Sequence, residues 1–259
     1  MKKKTISTAL LGVILAFSSA SLRAGDQESG PDAGHFDDYV LALSWDPGFC
    51  ENKPQSSECA SLTPDSFAAR HLTLHGLWPD QNGDSHHDYG YCGVPPEIRS
   101  LDTGSQWCRM PPFGLSQDAS SRLEEVMPGA NSSTCLQMHE WYRHGSCSGL
   151  SPDAFFGQAG GLVLAVAKSG LGRFLADHTG QTVSLASLVA SFESDYGAGS
   201  SKNVSFGCFG RGDGTAILSE VRIGLSKNLL PPEQLGQMLV PQPSGNCPPN
   251  FLIDAVSPR

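Results

Sequence analysis

The sequence predicts a single α+β domain, strands towards both ends with helices between them, stapled by disulfides. Three observations predict it. Segments of alternating apolar and polar residues lie towards both ends of the chain, helical patterns fill the middle, and eight cysteines are spread between them. The 259 residues, 39% apolar and 17% charged, suffice for one domain with a sizeable core or two small ones, and read as globular. No internal repeat and no clear linker divides them, so one domain is expected.

The N-terminus stands apart from that domain. Lys2, Lys3 and Lys4 precede an apolar run from Ala9 to Phe17, and the small residues Ser18, Ser19, Ala20 and Ser21 follow. A basic head, a short apolar middle and a small-residue exit describe a secretory signal peptide, placed at residues 1–24. Cleavage after Ala24 and after Ala20 both fit. The run falls short of the roughly 20 apolar residues that span a bilayer, and nothing later in the chain reads as a span. The expected location is therefore the periplasm or the medium. The periplasm is favoured because only the compact domain, residues 25–259, follows the leader.

Export accounts for the cysteines. Cys50, Cys59, Cys92, Cys108, Cys135, Cys147, Cys208 and Cys247 all follow the leader, and an even number in an exported chain implies up to four disulfides. The competing use, metal binding, lacks any Cys-x-x-Cys pair. Connectivity stays open at this point, because eight cysteines allow 105 pairings.

Removing residues 1–24 takes away four of the 17 basic residues and no acid, which leaves 13 against 26 and a net charge of −13. That charge argues against a protein that coats nucleic acid by counterion release. It still permits an enzyme that holds a polyanion briefly through a few local cations.

Along the chain, residues 25–35 form a loose polar arm. Tyr39 to Trp45 alternates as a core strand, and residues 46–66 read as a stapled loop. His71 to His75 alternates again, breaks at Gly76 and runs into Leu77-Trp78-Pro79-Asp80. Residues 81–112 are loop-like. Ser116 to Val126 reads as a helix capped by Ser116 and ended by Pro128-Gly129. Cys135 to His144 is a second helical segment, closed by Gly145. Pro152 to Ala176 is the longest helical pattern, interrupted by Gly160-Gly161 and Gly170-Leu171-Gly172, which allows two helices. Thr182 to Ser194 reads as another helix. Asn203 to Phe209, Ala216 to Ser226 and Phe251 to Asp254 return to strand, with Val221, Ile223 and Leu225 opposite Glu220 and Arg222.

Two clusters carry chemistry. In His75-Gly76-Leu77-Trp78-Pro79-Asp80 a histidine sits where the backbone turns and can face a cleft. Alone, such a histidine is more often structural. In His139-Glu140-Trp141-Tyr142-Arg143-His144-Gly145, helical spacing of 100° per residue puts His139, Glu140, Arg143 and His144 within a 140° arc. The plain alternative is a solvated face carrying a Glu140–Arg143 pair.

Together the clusters meet a definite demand. Cleaving RNA through its own 2′-hydroxyl needs a base for that proton, an acid for the departing 5′-oxygen, and positive charge near the phosphorus. Histidine, with an ordinary pKa near 6.5, supplies neutral and protonated copies side by side. Arg143 offers forked donors to phosphate oxygens, Glu140 can hold a cation or bond the transition state, and no metal or cofactor is required. Trp78 offers a base a stacking face, roughly 1–3 kcal/mol on the general scale.

The two segments, His75-Gly76-Leu77-Trp78-Pro79 and His139-Glu140-Trp141-Tyr142-Arg143-His144-Gly145-Ser146-Cys147, resemble the two signature segments of the RNase T2 family of transferase-type ribonucleases. They stand in the family's order, separated by a cysteine-bearing loop, and the resemblance covers nearly the whole chain after the leader. It implies an α+β fold with a central antiparallel sheet and endonucleolytic cleavage of RNA through 2′,3′-cyclic phosphates with little base specificity. It further implies His144 as general base, His75 as general acid, and His139 as a phosphate contact. Glu140 and Arg143 would stabilise the pentacovalent state, and Trp78 and Asp80 would meet a base. Many members carry Lys where this chain has Arg143, which keeps the charge and alters the geometry. The resemblance also implies the pairs Cys92–Cys147 and Cys208–Cys247. RNA is the expected substrate, and the expected state is a monomer off the membrane.

Weaker signals point elsewhere. His71 and His75 are four apart and His86 and His87 adjacent, yet Leu72-Thr73-Leu74 reads as strand, which does not converge histidines at that spacing on a zinc ion. His35, His86, His87 and His178 read as surface residues. Asn131-Ser-Ser and Asn203-Val-Ser fit the glycosylation triplet, which arises often by chance and which a bacterial type of leader makes irrelevant. Arg211-Gly-Asp213 reads as a turn. A non-catalytic RNA-binding domain is the alternative of a different class, disfavoured by the intact histidine set and by the net charge.

Overall fold

The computed structural model of the chain describes residues 31–81, 89–130 and 134–256. The leader at 1–24, most of the arm, His86, His87 and the Asn131 triplet lie outside the described residues.

Among the described residues the strands are β1 (Asp38–Ser44), β2 (Thr73–Asp80), β3 (Gln181–Ser184), β4 (Val204–Gly210), β5 (Ala216–Ser226) and β6 (Asn250–Ile253). They form one sheet in the order β2-β1-β5-β6-β3, with β4 paired to β5. The ladders are antiparallel apart from β5–β6, which meet in parallel at Ile217 and Leu252. The expected antiparallel sheet therefore carries one parallel joint, because β6 arrives by a long crossover.

One face of this sheet is the core. Tyr39, Leu41 and Leu43 of β1 and Val221, Ile223 and Leu225 of β5 alternate inward and are all but inaccessible. The helices are α1 (Asp46–Asn52), α2 (Ser57–Ala60), α3 (Pro96–Arg99), α4 (Gln117–Val126), α5 (Leu136–His139), α6 (Pro152–Ala167), α7 (Gly170–Asp177), α8 (Leu185–Tyr196) and α9 (Leu235–Met238). From α6, Phe155, Phe156, Ala159, Leu162, Val163 and Val166 join that core. Fully burying each large side chain stabilises the fold by roughly 1.5–3 kcal/mol. The other face of the sheet, with Val40, Ala42 and Ser44 on β1 and Glu220 and Arg222 on β5, is where the polar residues gather.

Several local expectations need correction. The stapled loop at 46–66 contains α1 and α2. The segment read as a helix from Thr182 opens as strand β3, because Gln181 to Ser184 pair with β6, and only then turns helical at Leu185 under the cap of Ser184, whose Oγ accepts from Ser187 N at 3.0 Å. The long pattern from Pro152 is two helices, as its glycine interruptions allow. The break falls at Lys168-Ser169, where Ser169 Oγ caps α7 through Gly172 N at 3.2 Å, and Gly160-Gly161 stays helical. The predicted cap on α4 is present, with Ser116 Oγ accepting from Ala119 N at 3.2 Å.

Strand β2 does not break at Gly76 but runs on to Asp80. In the β1–β2 ladder Ala42 pairs with Gly76 and Leu43 with Leu74, which leaves His75 as an extra residue with no partner, a β-bulge. Leu74 and Leu77 remain buried, while His75 and Trp78, also three apart, are half-exposed. In a regular strand residues three apart point to opposite faces. The bulge absorbs one residue and puts both side chains on the polar face.

Four disulfides join Cys50–Cys59, Cys92–Cys147, Cys108–Cys135 and Cys208–Cys247, and no cysteine is free. They include both pairs implied by the resemblance. Among the described residues no single helix is long and apolar enough to cross a membrane.

Candidate active site

The segment that carries the second cluster is not one regular helix. Cys135 lies in the left-handed region at φ 51°, tied to Cys108, and starts the single α-turn of α5. Glu140 to His144 then form a π-helical turn, and Gly145 to Cys147 tighten to 3₁₀, locked to Cys92. A π turn holds more residues per turn than an α-helix, so the 100° spacing no longer applies, and such turns recur at functional sites. The outcome resembles the expected arc in part: His139, Glu140 and His144 each bring one ligating atom within 4.8 Å of the others.

Glu140 is the hub. Its side chain is 1% exposed, and its Oε2 accepts the indole N–H of Trp78 at 2.9 Å. Its Oε1 has no hydrogen-bond partner among the described residues, and lies 4.0 Å from His75 Nε2 and 3.8 Å from His139 Nε2. A buried carboxylate oxygen left without a hydrogen bond is uncommon, and this one lies between two imidazole nitrogens. Burial pushes the Glu140 pKa up, against the pull of His139 and His75.

Gly76 makes the hub possible. A Cβ there would stand 2.0 Å from Glu140 Oε2 and 2.2 Å from Trp78 Nε1, so the Trp78–Glu140 bond passes directly over a bare backbone.

His75 reaches the site from the bulge, its side chain 35% exposed, and its Nδ1–H donates to Glu220 Oε2 at 2.8 Å. Partial burial disfavours the charged ring, but the bond to Glu220 and the charges of Glu140 and Glu220 outweigh it, and the His75 pKa is raised above 6.5. Glu220 is correspondingly held below the usual range: burial opposes its charge, and the bond to His75 with the nearby Arg222 prevails. Arg222 Nε donates to Glu220 Oε1 at 2.5 Å.

His144 is 7% exposed and stacks on Trp78, ring centroids 5.3 Å apart. His75 meets the same indole edge-on at 5.1 Å. The two histidines, 69 positions apart in sequence, thus pack on one ring. That ring also has the Arg222 guanidinium 5.3 Å over it. The face expected to be free for a base is therefore largely taken by the protein's own side chains.

His139 is held from behind by Asp102, which accepts its Nδ1–H at 2.6 Å together with the Trp107 indole N–H at 2.5 Å and the Tyr91 hydroxyl. Burial would raise the Asp102 pKa, but these donors, His139 foremost, lower it. Arg143 does not point along the expected arc. Its Nη1 donates to Tyr91 Oη at 3.0 Å, with the guanidinium 5.3 Å over the Tyr91 ring, so it joins His139 through Tyr91 and Asp102. Asp80 sits outside the cluster, 3% exposed at the end of β2, where its carboxylate accepts the Gln81 amide and the residue pairs with Asp38 of β1. His71 precedes β2 and stacks on Phe67 at 4.6 Å, away from any zinc-like arrangement with His75.

Beside His75 a cleft of about 660 Å³ runs along the polar face of the sheet, bordered by Trp78, Trp107, Phe49, Asp46, Glu220 and Arg222. At its floor Asp46 Oδ2 accepts the Thr73 hydroxyl at 3.0 Å. Complete burial raises the Asp46 pKa to about 7, only partly offset by that bond.

Glu220, Arg222, Asp102 and Trp107 were not singled out by sequence. Glu220 and Arg222 were visible only as the polar side of a strand, while Asp102 and Trp107 lie in a stretch with no pattern.

Comparison with known proteins adds the family. The model of the Ribonuclease T2 family matches residues 36–234. Ribonuclease I of Escherichia coli is 36% identical, with 98% of each chain covered. A ribonuclease of Aeromonas hydrophila is 33% identical over 60% of this chain and 54% of that one. The solved structure of ribonuclease MC1 from bitter gourd seeds superposes with a TM-score of 0.56 at 20% identity, covering 84% of this chain and 100% of that chain, a likeness of fold.

Proposed function

The chain belongs to the Ribonuclease T2 family, and from that premise we propose that it cuts single-stranded RNA by a metal-independent acid–base mechanism with little base specificity. The observation that carries this reading is the packing of His75 and His144 on the single Trp78 ring, beside the orphaned oxygen of Glu140. An acid and a base for one phosphodiester must converge in this way.

In the first step His144 takes the proton of the 2′-hydroxyl, the 2′-oxygen bonds to phosphorus, and the bond to the 5′-oxygen breaks as His75 protonates it. In the second step the roles exchange: His75 takes a proton from water, the new P–O bond forms, and the P–O2′ bond breaks as His144 returns its proton. The 2′,3′-cyclic phosphate becomes a 3′-phosphate. The raised pKa of His75 supports the acid label, because the bond to Glu220 and the charges of Glu140 and Glu220 favour its protonated form over the opposing effect of burial.

Glu140, set between His75 and His139, steadies the charged groups around the pentacovalent phosphorus, and His139 holds the phosphate. Arg143 contributes its charge through Tyr91 and Asp102. Trp78 serves chiefly to hold Glu140 and His144, and the base lies in the cleft beside it. The enzyme works as an exported monomer, in the periplasm or the medium.

His139, Glu140 and His144 could also hold a cation, so the deciding test is digestion of the four homopolymer RNAs and of DNA in excess EDTA. Expected are RNA fragments ending in 2′,3′-cyclic or 3′-phosphate at comparable rates, with DNA intact. Activity abolished by EDTA, or cut DNA, overturns the mechanism.

A further inference from the structure

We infer that Glu220 is a positioning residue for the reaction: anchored by Arg222, it holds the His75 ring from behind, so that Nε2 is the nitrogen presented to the departing oxygen. This rests on the reading of His75 as the acid.

A neutral imidazole carries its proton on either nitrogen, and only one of the two can face the phosphate. Here Nδ1 is occupied by Glu220 at 2.8 Å, while Nε2 lies on the side of Glu140, 4.0 Å away. His75 needs such an anchor more than a regular strand residue does, because in the bulge its backbone has no ladder partner. The anchor comes from β5, on the far side of β1. It can reach because the intervening residues, Ala42 and Ser44, are small, and they pair directly with Arg222 and Glu220.

Glu220 is itself fixed. Arg222 Nε holds its Oε1 at 2.5 Å and lies over Trp78, which in turn holds Glu140. The carboxylate touches the rear nitrogen and not the reacting atoms, so it acts through His75. The charged groups facing His75 are Glu220 and Arg222 from β5 and Glu140 from the π turn, with Asp46 of α1 and Glu58 of α2 acting at longer range. The arrangement follows the general logic of a carboxylate that sets tautomer and orientation and stabilises the imidazolium without taking the proton.

The test uses the exported form of the chain, cleaving uridylyl-adenosine, with kcat, KM, the pH profile and the ¹⁵N shifts of the His75 ring as readouts. Glu220→Ala is expected to lower kcat about 10- to 100-fold with KM within about threefold, and to move the alkaline limb down by about one pH unit. Glu220→Gln keeps an acceptor for Nδ1–H but no charge, so part of kcat returns while the limb stays low. Unchanged kcat and an unmoved limb in Glu220→Ala overturn the inference. Should Glu220→Ala fail to fold, Glu220→Gln decides alone: a lowered limb supports the role and an unmoved limb overturns it. Failure of the underlying reading looks different, since His75→Ala would then cleave at the parent rate.

Discussion

Trp78 donates its indole N–H to Glu140 across the bare α-carbon of Gly76, joining the bulged strand to the π turn at 2.9 Å. Gly76→Ala would drive a methyl group into both partners. It is expected to destabilise the fold by about 1–3 kcal/mol, the cost of unpairing a buried polar group, and to cut kcat with little change in KM. Denaturant melts with steady-state kinetics check this, and a variant of parental stability and rate would remove Gly76 from the argument.

His75→Phe and His144→Phe are each expected to lower kcat/KM by about 10²–10⁴-fold, whereas His139→Phe keeps a measurable residue. Circular dichroism confirms the fold, and parental rates in either of the first two overturn the assignment.

The His75 pKa is raised, so as acid it stays protonated beyond pH 6.5 and is lost only as pH climbs through the raised value. The alkaline limb of kcat/KM is therefore expected above 6.5. A limb at or below that value contradicts the ion pair with Glu220.

Asp46 gives a stability prediction with the opposite dependence to an ordinary ion-paired carboxylate. Its pKa is raised from 3.8 to about 7 by burial. Between those values the unfolded state binds fewer protons than the folded one, so stability falls as pH rises through that window. Asp46→Asn keeps an acceptor for Thr73 and removes the charge. It is expected to match the parent near pH 4 and to exceed it above pH 7, by an amount on the order of 4 kcal/mol at most. Urea titrations at the two pH values decide it, and an equal stability difference at both would show that the carboxyl stays ionised.

The bridge Cys92–Cys147 closes 55 residues and ends the turn that carries His144. Replacing both cysteines by Ala is expected to cost about 2–4 kcal/mol and to lower kcat more than removing Cys50–Cys59, which closes only 9 residues beside the cleft. Thermal melts and kinetics on the two double variants test the ranking.

Much of the site was legible because its residues are concentrated in two short segments with unusual composition. His75, Trp78, His139, Glu140 and His144 are brought together by the fold. Glu220 was illegible for a physical reason: a carboxylate on the polar side of a strand is common, and its partner lies two strands away in the sheet. Asp102 sits in a loop with no periodicity, and only the folded chain brings it to His139. Arg143 misled because the spacing argument assumed an α-helix where the chain makes a π turn. The same holds for the strand–helix boundary at Ser184, where helical residues continue smoothly from a short strand that only its pairing with β6 defines.

The extra residue at His75 has a consequence for anyone who would build this chemistry into another scaffold. Copying the side chains alone would fail, since on an unbroken ladder a tryptophan placed three positions after the histidine enters the hydrophobic interior. A graft has to copy a miscount between two strands as well, and a host sheet that heals the miscount would keep every residue of the motif and lose its geometry.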